Sequence, residues 1–556
     1  MTSTLTRRRL ACCLAVAALA TTLAACASTS SSSSGSPASA GGTPVDGGTL
    51  TFYDPVEYTA WVPTNSIWSN SQVSGNLGER LIWQDPKTGG FKPWLAASWE
   101  ISADHLAYTF HLKPGITFSN GDPLDAGTVK LNFDQHGLGD KALGIPQDGF
   151  WAGYAGTEVV DASTLKVKLK APDAGFLQVL SNYRASTILG KPFLAQNLEG
   201  QGRAKNWVGT GPFVVDSVSG TTGITLKRRE DYHWPPDGSG HQGKAHLQKI
   251  VFKTVPEAST RVGALQSGEA DIARNIAPAD EETVVANGDT LVAIPVQGGT
   301  NKLAVQLGPK APAATKDLKV RQALQAATDR EEINRTVLTK NYPVPSSALV
   351  KGTPLRSDSS RYLTYDLAKA TSLLTEAGWT PGPDGIRVKG GEKLHFDIWV
   401  SPYYQVSQNV LELLQSQWKK AGIDLRIHGA SLTEYEAIST AGGSGDAKWA
   451  FEQGQTSTAD PNVLRVSYSS SRYNELGQDK AAPDRTLDTL VQAQAGEFDP
   501  EKRKAAVKAA EDYLFQQAYA IPLYDETQVF ALAPRVHGYA TESTGRSWFY
   551  DTWLSR

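Results

Sequence analysis

The sequence predicts a mixed α/β fold: short segments that alternate apolar and polar residues are interspersed with longer ones whose apolar residues recur at helical spacing behind an aspartate. No internal repeat organises these segments into a solenoid or propeller. In order, GGTLTFYD (47–54) alternates like a strand, and the aromatic-rich EYTAWVPTNSIWSNSQ leads into a helix-like VSGNLGERL. Tyr108, Phe110 and Leu112 form one face of a strand, Lys113 to Gly115 make a turn, and Ile116 and Phe118 give a second strand closed by Asn120-Gly121, a pair suited to positive φ. Asp125 then caps a helix carrying Val129, Leu131 and Phe133.

Helices dominate the second half. Asp317 caps a helix bearing Val320, Leu324 and Ala327, and Asp329 with Glu332 makes a capping-box-like start for another. Leu367, Ala370, Leu374 and Ala377 share a face between Asp366 and Gly378, a natural residue for the position after a helix end. Val406, Val410, Leu414 and Trp418 stripe a further helix that ends at Ala421-Gly422 and passes into the strand IDLRIH.

All three cysteines, Cys12, Cys13 and Cys26, lie within or at the end of an apolar N-terminal segment that follows Arg7, Arg8 and Arg9. That layout is an export signal, too short to span a bilayer comfortably. Leu23, Ala24, Ala25 and Cys26 resemble the lipobox of bacterial lipoproteins, in which the thiol is acylated and the chain is cut just before it. Residues 1–25 are then a signal peptide, by the general or the twin-arginine route, and Cys26 is a membrane anchor. The Ser/Gly-rich stretch 26–46 cannot bury enough apolar surface to fold and reads as a tether.

Removing residues 1–25 takes away three arginines and no acid, leaving 51 Lys+Arg against 57 Asp+Glu, which argues against a nucleic-acid binder. A folded part without cysteine excludes thiolate chemistry. The 14 Trp, 19 Tyr and 16 Phe can serve both a core and a ligand surface of rigid rings.

Six segments, taken together, resemble the family 5 extracellular solute-binding proteins of ABC importers, which carry dipeptides, oligopeptides, nickel chelates and other small solutes. They are PWLAASWEISADHLAYTFHLKPGITFSNGDPLDAGTV (93–129), GTGPFVVDSVSGTTGITLKRREDYHW (209–234), RVGALQSGEADI (261–272), DLKVRQALQAATDREEI (317–333), YDLAKATSLLTEAGW (365–379) and AIPLYDETQVFALAP (520–534). The resemblance implies a two-lobed periplasmic-binding-protein-like fold of the large type II, peptide-binding kind. Lobe one would comprise 47–77, 173–300 and 523–556, with an extra subdomain over 78–172, and lobe two 301–522. Hinges are expected near residues 301 and 522. The resemblance also implies an exported monomer on the outer face of the cytoplasmic membrane, partnered by an ABC permease and its ATPase subunits, with no cofactor.

Peptide-carrying relatives hold the ligand's amino group with an aspartate before an Asp-Pro-like turn and often its carboxylate with an upstream arginine. Here that loop reads DAKWAFEQGQTSTADPNVL (446–464), with Ser457 at the aspartate's place and no arginine between Asp446 and Asp460. A buried charge needs a partner. Gln455, Thr456, Ser457 and Thr458 therefore point to a less charged solute, unless Asp460 or Asp525 supplies the charge. Family positions add Tyr58, Trp61 and Trp68, then Phe150, Trp151 and Tyr154, and lastly Tyr403 and Tyr404. Tyr524 and Asp525 stand beside the second hinge. The resemblance puts peptides first, with a non-peptide organic solute or nickel chelate as the alternative; a ligand-sensing or adhesion role stays open.

The chain has no GxSxG, HExxH or Walker motif, so a hydrolase has little support. His233, His241 and His246 share one Gly/Pro-rich stretch, but their spacing matches no compact metal motif.

Overall fold

The computed structural model describes residues 42–59, 61–63 and 70–556. The export signal, Cys26, most of the tether and Trp68 lie outside them. A seven-stranded mixed sheet is built around Thr49–Asp54, which pairs in parallel with Lys249–Thr254 on one side and Ile272–Arg274 on the other. Thr527–Leu532 runs antiparallel to Ile272–Arg274 and to Thr290–Pro295 at the sheet edge. Leu50 and Phe52 point into a core with Phe252, Phe530 and Phe549, as the alternation in GGTLTFYD requires.

A separate four-stranded antiparallel sheet holds Ala96–Ile101, Ala107–Leu112, Thr164–Leu169 and Tyr154–Val159. The strand expected at Ile116 and Phe118 is not formed. Both residues are buried, but only Thr117 bridges Pro123. Arg229 donates to the carbonyls of Thr117 (3.0 Å) and Phe118 (3.2 Å), so a guanidinium occupies acceptors that a neighbouring strand would use. In the helix Ala126–Leu138, Asp125 accepts from the Thr128 N–H as expected, and Val129 and Phe133 are buried. Leu131, two residues from each, lies on the outer face and is 46 % exposed. The helix expected over VSGNLGERL spans Ser71–Leu77 and stops where Gly78 turns extended.

The chain leaves the seven-stranded sheet after Pro295 and enters a three-stranded sheet at Asn301–Val305, flanked by Phe451–Gly454 and Ala520–Tyr524. It returns between Tyr524 and Thr527. The two passages touch, the Val296 N–H donating to the Glu526 carbonyl at 2.8 Å. Between them lies a parallel pair, His395–Trp399 with Asp424–His428, connected by the helix Ser407–Lys420. The caps at Asp317, Asp329 and Asp366 all accept N–H groups of their helices' first turns. One half of the expected box is replaced: Glu332 accepts from Gln417, and Gln417 Oε1 takes the Asp329 N–H that the glutamate would have taken. Among the described residues no helix is long and apolar enough to cross a membrane.

Candidate functional site

A cavity of about 1170 Å³ opens where the two parts of the chain face each other. From the part before the first passage come Glu57, Thr59, Phe150, Asn182, Tyr183 and Arg184; from the part between the passages come Lys302, Tyr403, Tyr404, Glu452, Arg472 and Tyr473 among others.

Phe150 reaches the cavity because Asp148 accepts its N–H (2.9 Å) and starts a tight turn over Gly149–Trp151. At three residues per turn, successive side chains diverge widely. Phe150 therefore faces the cavity, and Trp151 turns inward, where its indole donates to the Ala185 carbonyl. Asn182 caps the next short helix by accepting the Arg184 N–H (2.9 Å). That turn presents Arg184 over the Phe150 ring, 5.6 Å from its centroid.

On the opposite wall, the Gln455 N–H donates to the Tyr404 hydroxyl (2.9 Å), and the Gln455 amide donates to the Val296 carbonyl (2.9 Å). Thr456 and Ser467 both donate to Glu475 (2.7 and 2.8 Å), which also pairs with Lys302 at 2.6 Å. Burial pulls the Glu475 carboxyl upward, yet the Lys302 charge and these hydrogen bonds outweigh it and hold the group below its ordinary value. Glu452, hydrogen-bonded by Ser439 at 2.5 Å, is pushed up to about 7, chiefly by burial. Tyr403 donates to Glu436 at 3.0 Å.

Phe150, Tyr403, Tyr404, Gln455, Thr456 and Ser457 thus lie together on the cavity. Tyr58, Trp61, Trp151, Tyr154, Tyr524 and Asp525 do not, and each has a packing reason. Tyr58 packs edge-on to Phe252, and Trp61 edge-on to Trp207. Tyr154 closes over Gly137, where a Cβ would come within 2.1 Å of its ring, and its hydroxyl donates to Asp134 (2.5 Å) and accepts from the Thr157 hydroxyl (2.7 Å). Tyr524 packs against Tyr342. Asp525 accepts the Lys351 N–H (2.8 Å), its carboxyl pushed up to about 6 by burial. Asp460 receives both Arg503 Nη2 (2.5 Å) and Nη1 (3.0 Å), so neither aspartate offers its charge to the cavity. The charges come instead from Arg184, Arg472, Glu452 and Glu436, which the loop 446–464 alone does not reveal, apart from Glu452 inside it. His241 pairs with Asp551 (2.9 Å) and His246 with Asp46 (2.8 Å) away from the cleft, the two rings stacked at 4.1 Å.

The two walls also meet directly. Asp173 pairs with Arg465 and accepts from Asn462 (3.3 Å), the Ala174 N–H donates to Ala495 (2.8 Å), and Gln84 donates to Ala459 (2.9 Å). His105 stacks on Phe498 at 3.8 Å.

Two lobes closing on a cavity of mixed charge define a solute receptor, and the chain belongs to the bacterial extracellular solute-binding proteins, family 5, whose middle-region profile matches residues 90–475. It is a binding protein of the ABC-importer class and not an enzyme. Among curated relatives, the glutathione-binding protein GsiB of Salmonella paratyphi A is 27 % identical over 455 residues, covering 80 % of this chain and 82 % of the relative. Its counterpart from Escherichia coli K12 is 26 % identical over the same length. Among solved structures, NikA from Brucella suis in complex with Fe(III)-EDTA is 25 % identical with a TM-score of 0.75, covering 91 % of this chain and all of NikA. The oligopeptide-binding protein AppA from Bacillus subtilis, in complex with a nonapeptide, shares the fold at 22 % identity with a TM-score of 0.77, covering 92 % of this chain and all of AppA.

Proposed function

We propose that this chain captures a short peptide or peptide-like solute bearing charges of both signs, outside the cytoplasm, and delivers it to an ABC permease. The observation that carries the reading is the lining of the cavity: cations at Arg184 and Arg472, acids at Glu436 and Glu452, and rings at Phe150, Tyr403, Tyr404 and Tyr473. Its volume of about 1170 Å³ exceeds the usual small-molecule range of roughly 300–1,000 Å³. Ser457 leaves the loop without the aspartate of peptide carriers, and Glu452 or Glu436 takes over its part. The glutathione-binding relatives bind a peptide-like anion by name, which supports the same class.

In this reading 47–77, 173–300 and 523–556 make lobe one, 78–172 its subdomain and 301–522 lobe two. The sheet changes after Pro295 and after Tyr524 are the hinges. The receptor works as a monomer held to the membrane by acylated Cys26, the tether letting it turn above the lipid. A non-peptide polycarboxylate or metal chelate is the second reading, favoured by the arginines and by the Fe(III)-EDTA neighbour.

The test is thermal unfolding of the purified protein against di- and tripeptides, glutathione, end-capped peptides, nickel and iron chelates and neutral solutes. A ligand at 100 times its dissociation constant adds about 2.7 kcal/mol of stability. Stabilisation by free-ended peptides supports the reading, and stabilisation by neutral or capped solutes alone refutes it.

A further inference from the structure

The helix Leu432–Ser444 presents Tyr435, Glu436 and Ser439 to the cavity, and Gly442 in its last turn closes on a group of oxygen atoms. A Cβ on Gly442 would lie 2.7 Å from Glu452 Oε2 and 3.4 Å from Gln306 Oε1. One on Gly477 would press on the same Gln306 oxygen and lie 2.8 Å from the Gly442 carbonyl oxygen. Glycine at both positions leaves the space between these three oxygens open. Gln306 is 0 % exposed, and its amide nitrogen donates to the Glu475 carbonyl at 2.8 Å. That bond turns Oε1 toward the glycines, where no N–H or O–H among the described residues donates to it. A buried acceptor in that state is unfavourable unless a further partner fills the place. Glu452 spends Oε1 on Ser439 (2.5 Å) and turns Oε2 to the same gap. The Gly442 carbonyl takes the Gly445 N–H at 2.9 Å and keeps a second lone pair. It also belongs to the C-terminal turn of its helix, the negative end of the dipole. The charges that act on the gap are those of Glu452, Glu475 and Lys302; the last two pair at 2.6 Å, which leaves one negative charge to be balanced.

We infer that Glu452 Oε2, Gln306 Oε1 and the Gly442 carbonyl hold a monovalent metal cation such as sodium, with water from the cavity completing its shell. The inference stands apart from the identity of the solute. Carboxylate, amide and backbone oxygens suit hard cations, and helix C-terminal carbonyls can bind sodium by the same electrostatics. A single uncompensated charge suits a monovalent ion better than calcium, which gathers about six to eight oxygens. Among the described residues no three His, Cys, Asp or Glu come together, so the oxygen set does not extend to a transition-metal site. The ion ties three pieces of the wall at one point: Gln306 just after the strand Asn301–Val305, Glu452 in the strand Phe451–Gly454, and the end of the helix Leu432–Ser444. It thereby steadies the helix that carries Tyr435 and Glu436 to the cavity. A proton and the ion compete for the same Glu452 oxygen, so the ion-free state is the one in which that carboxyl is pushed up to about 7.

The experiment follows thermal unfolding of the purified protein, without added solute, in sodium, potassium, calcium and N-methylglucamine chlorides at equal ionic strength and at a pH above the Glu452 value. Equal ionic strength removes general screening from the comparison. Wild type should show a saturable rise of about 2 °C or more in sodium over N-methylglucamine. In Glu452→Gln and in Gln306→Met the rise should fall to less than about half, whatever the midpoint from which each variant starts. Sodium-23 resonance broadening, present with wild type, should be lost in both. A saturable potassium response supports a monovalent site as well. A response to calcium alone overturns the proposal. Equal midpoints in sodium and N-methylglucamine would mean that the gap takes a water or a proton in place of an ion. That result, or a sodium response undiminished in either variant, also overturns it. Because no solute is present, failure here is separate from failure of the transport reading.

Discussion

Phe150 and Trp151 are neighbours in sequence with opposite fates, and single-residue changes separate them. Trp151 is 1 % exposed and packs on Phe133, Tyr154 and Phe176, so Trp151→Ala should lower stability by about 3–5 kcal/mol in urea titrations. Phe150→Ala should cost less stability but weaken ligand binding, read by calorimetry. Glu452 gives a pH signature. Its carboxyl is raised from 4.5 to about 7, so between those values the folded chain holds a proton that the unfolded chain has released. This group therefore makes stability fall as pH rises through that window, and it contributes its full penalty above it. Glu452→Gln should flatten the urea midpoint across the window and raise it at higher pH; an unchanged profile would refute the assignment. From sequence, the rings near residue 150 are visible, but which one faces the cavity depends on the turn set by Asp148. Arg184 and Arg472 leave no local pattern, because 288 positions separate them and only the folded chain brings both to one cavity.

At the scale of elements, local chemistry is the part most legible in the sequence. The aspartates at 125, 317, 329 and 366 start their helices because each signal lies within one turn of its effect. Ile116 and Phe118 do not form the expected strand because the competitor for this backbone, Arg229, comes from over a hundred residues away. The contact between the 173–175 segment and the helix Val463–Tyr468 is equally invisible in sequence and makes a prediction at this scale. Asp173 and Arg465 have side chains 10 % and 7 % exposed, and breaking such a pair costs about 3–5 kcal/mol. Asp173→Asn should shift the protein toward an open arrangement, seen as a larger radius of gyration by small-angle scattering, and weaken ligand binding although the aspartate does not line the cavity. An unchanged scattering profile and affinity would show that the pair does not hold the walls together.

At the scale of the whole molecule, the two passages between sheets are the hinges of the function proposed above. Gly298 sits in the first passage at φ +136, where a Cβ would lie 2.3 Å from the Thr456 carbonyl oxygen. Only glycine lets this strand connection press against the loop 455–458. Gly298→Ala should lower the thermal midpoint and weaken ligand binding together, by disturbing hinge and cleft at one point; loss of stability with unaltered affinity would uncouple them. The two passages are also bonded to each other through Val296 and Glu526, with Asn301 paired to Tyr524 beside them. As hinges, two adjacent, bonded connections would resist sliding and twisting and leave chiefly one rotation free. A bulkier solute would then stop that rotation earlier, so the size of the cargo would be displayed outside as an angle, which a permease can inspect without touching the cargo.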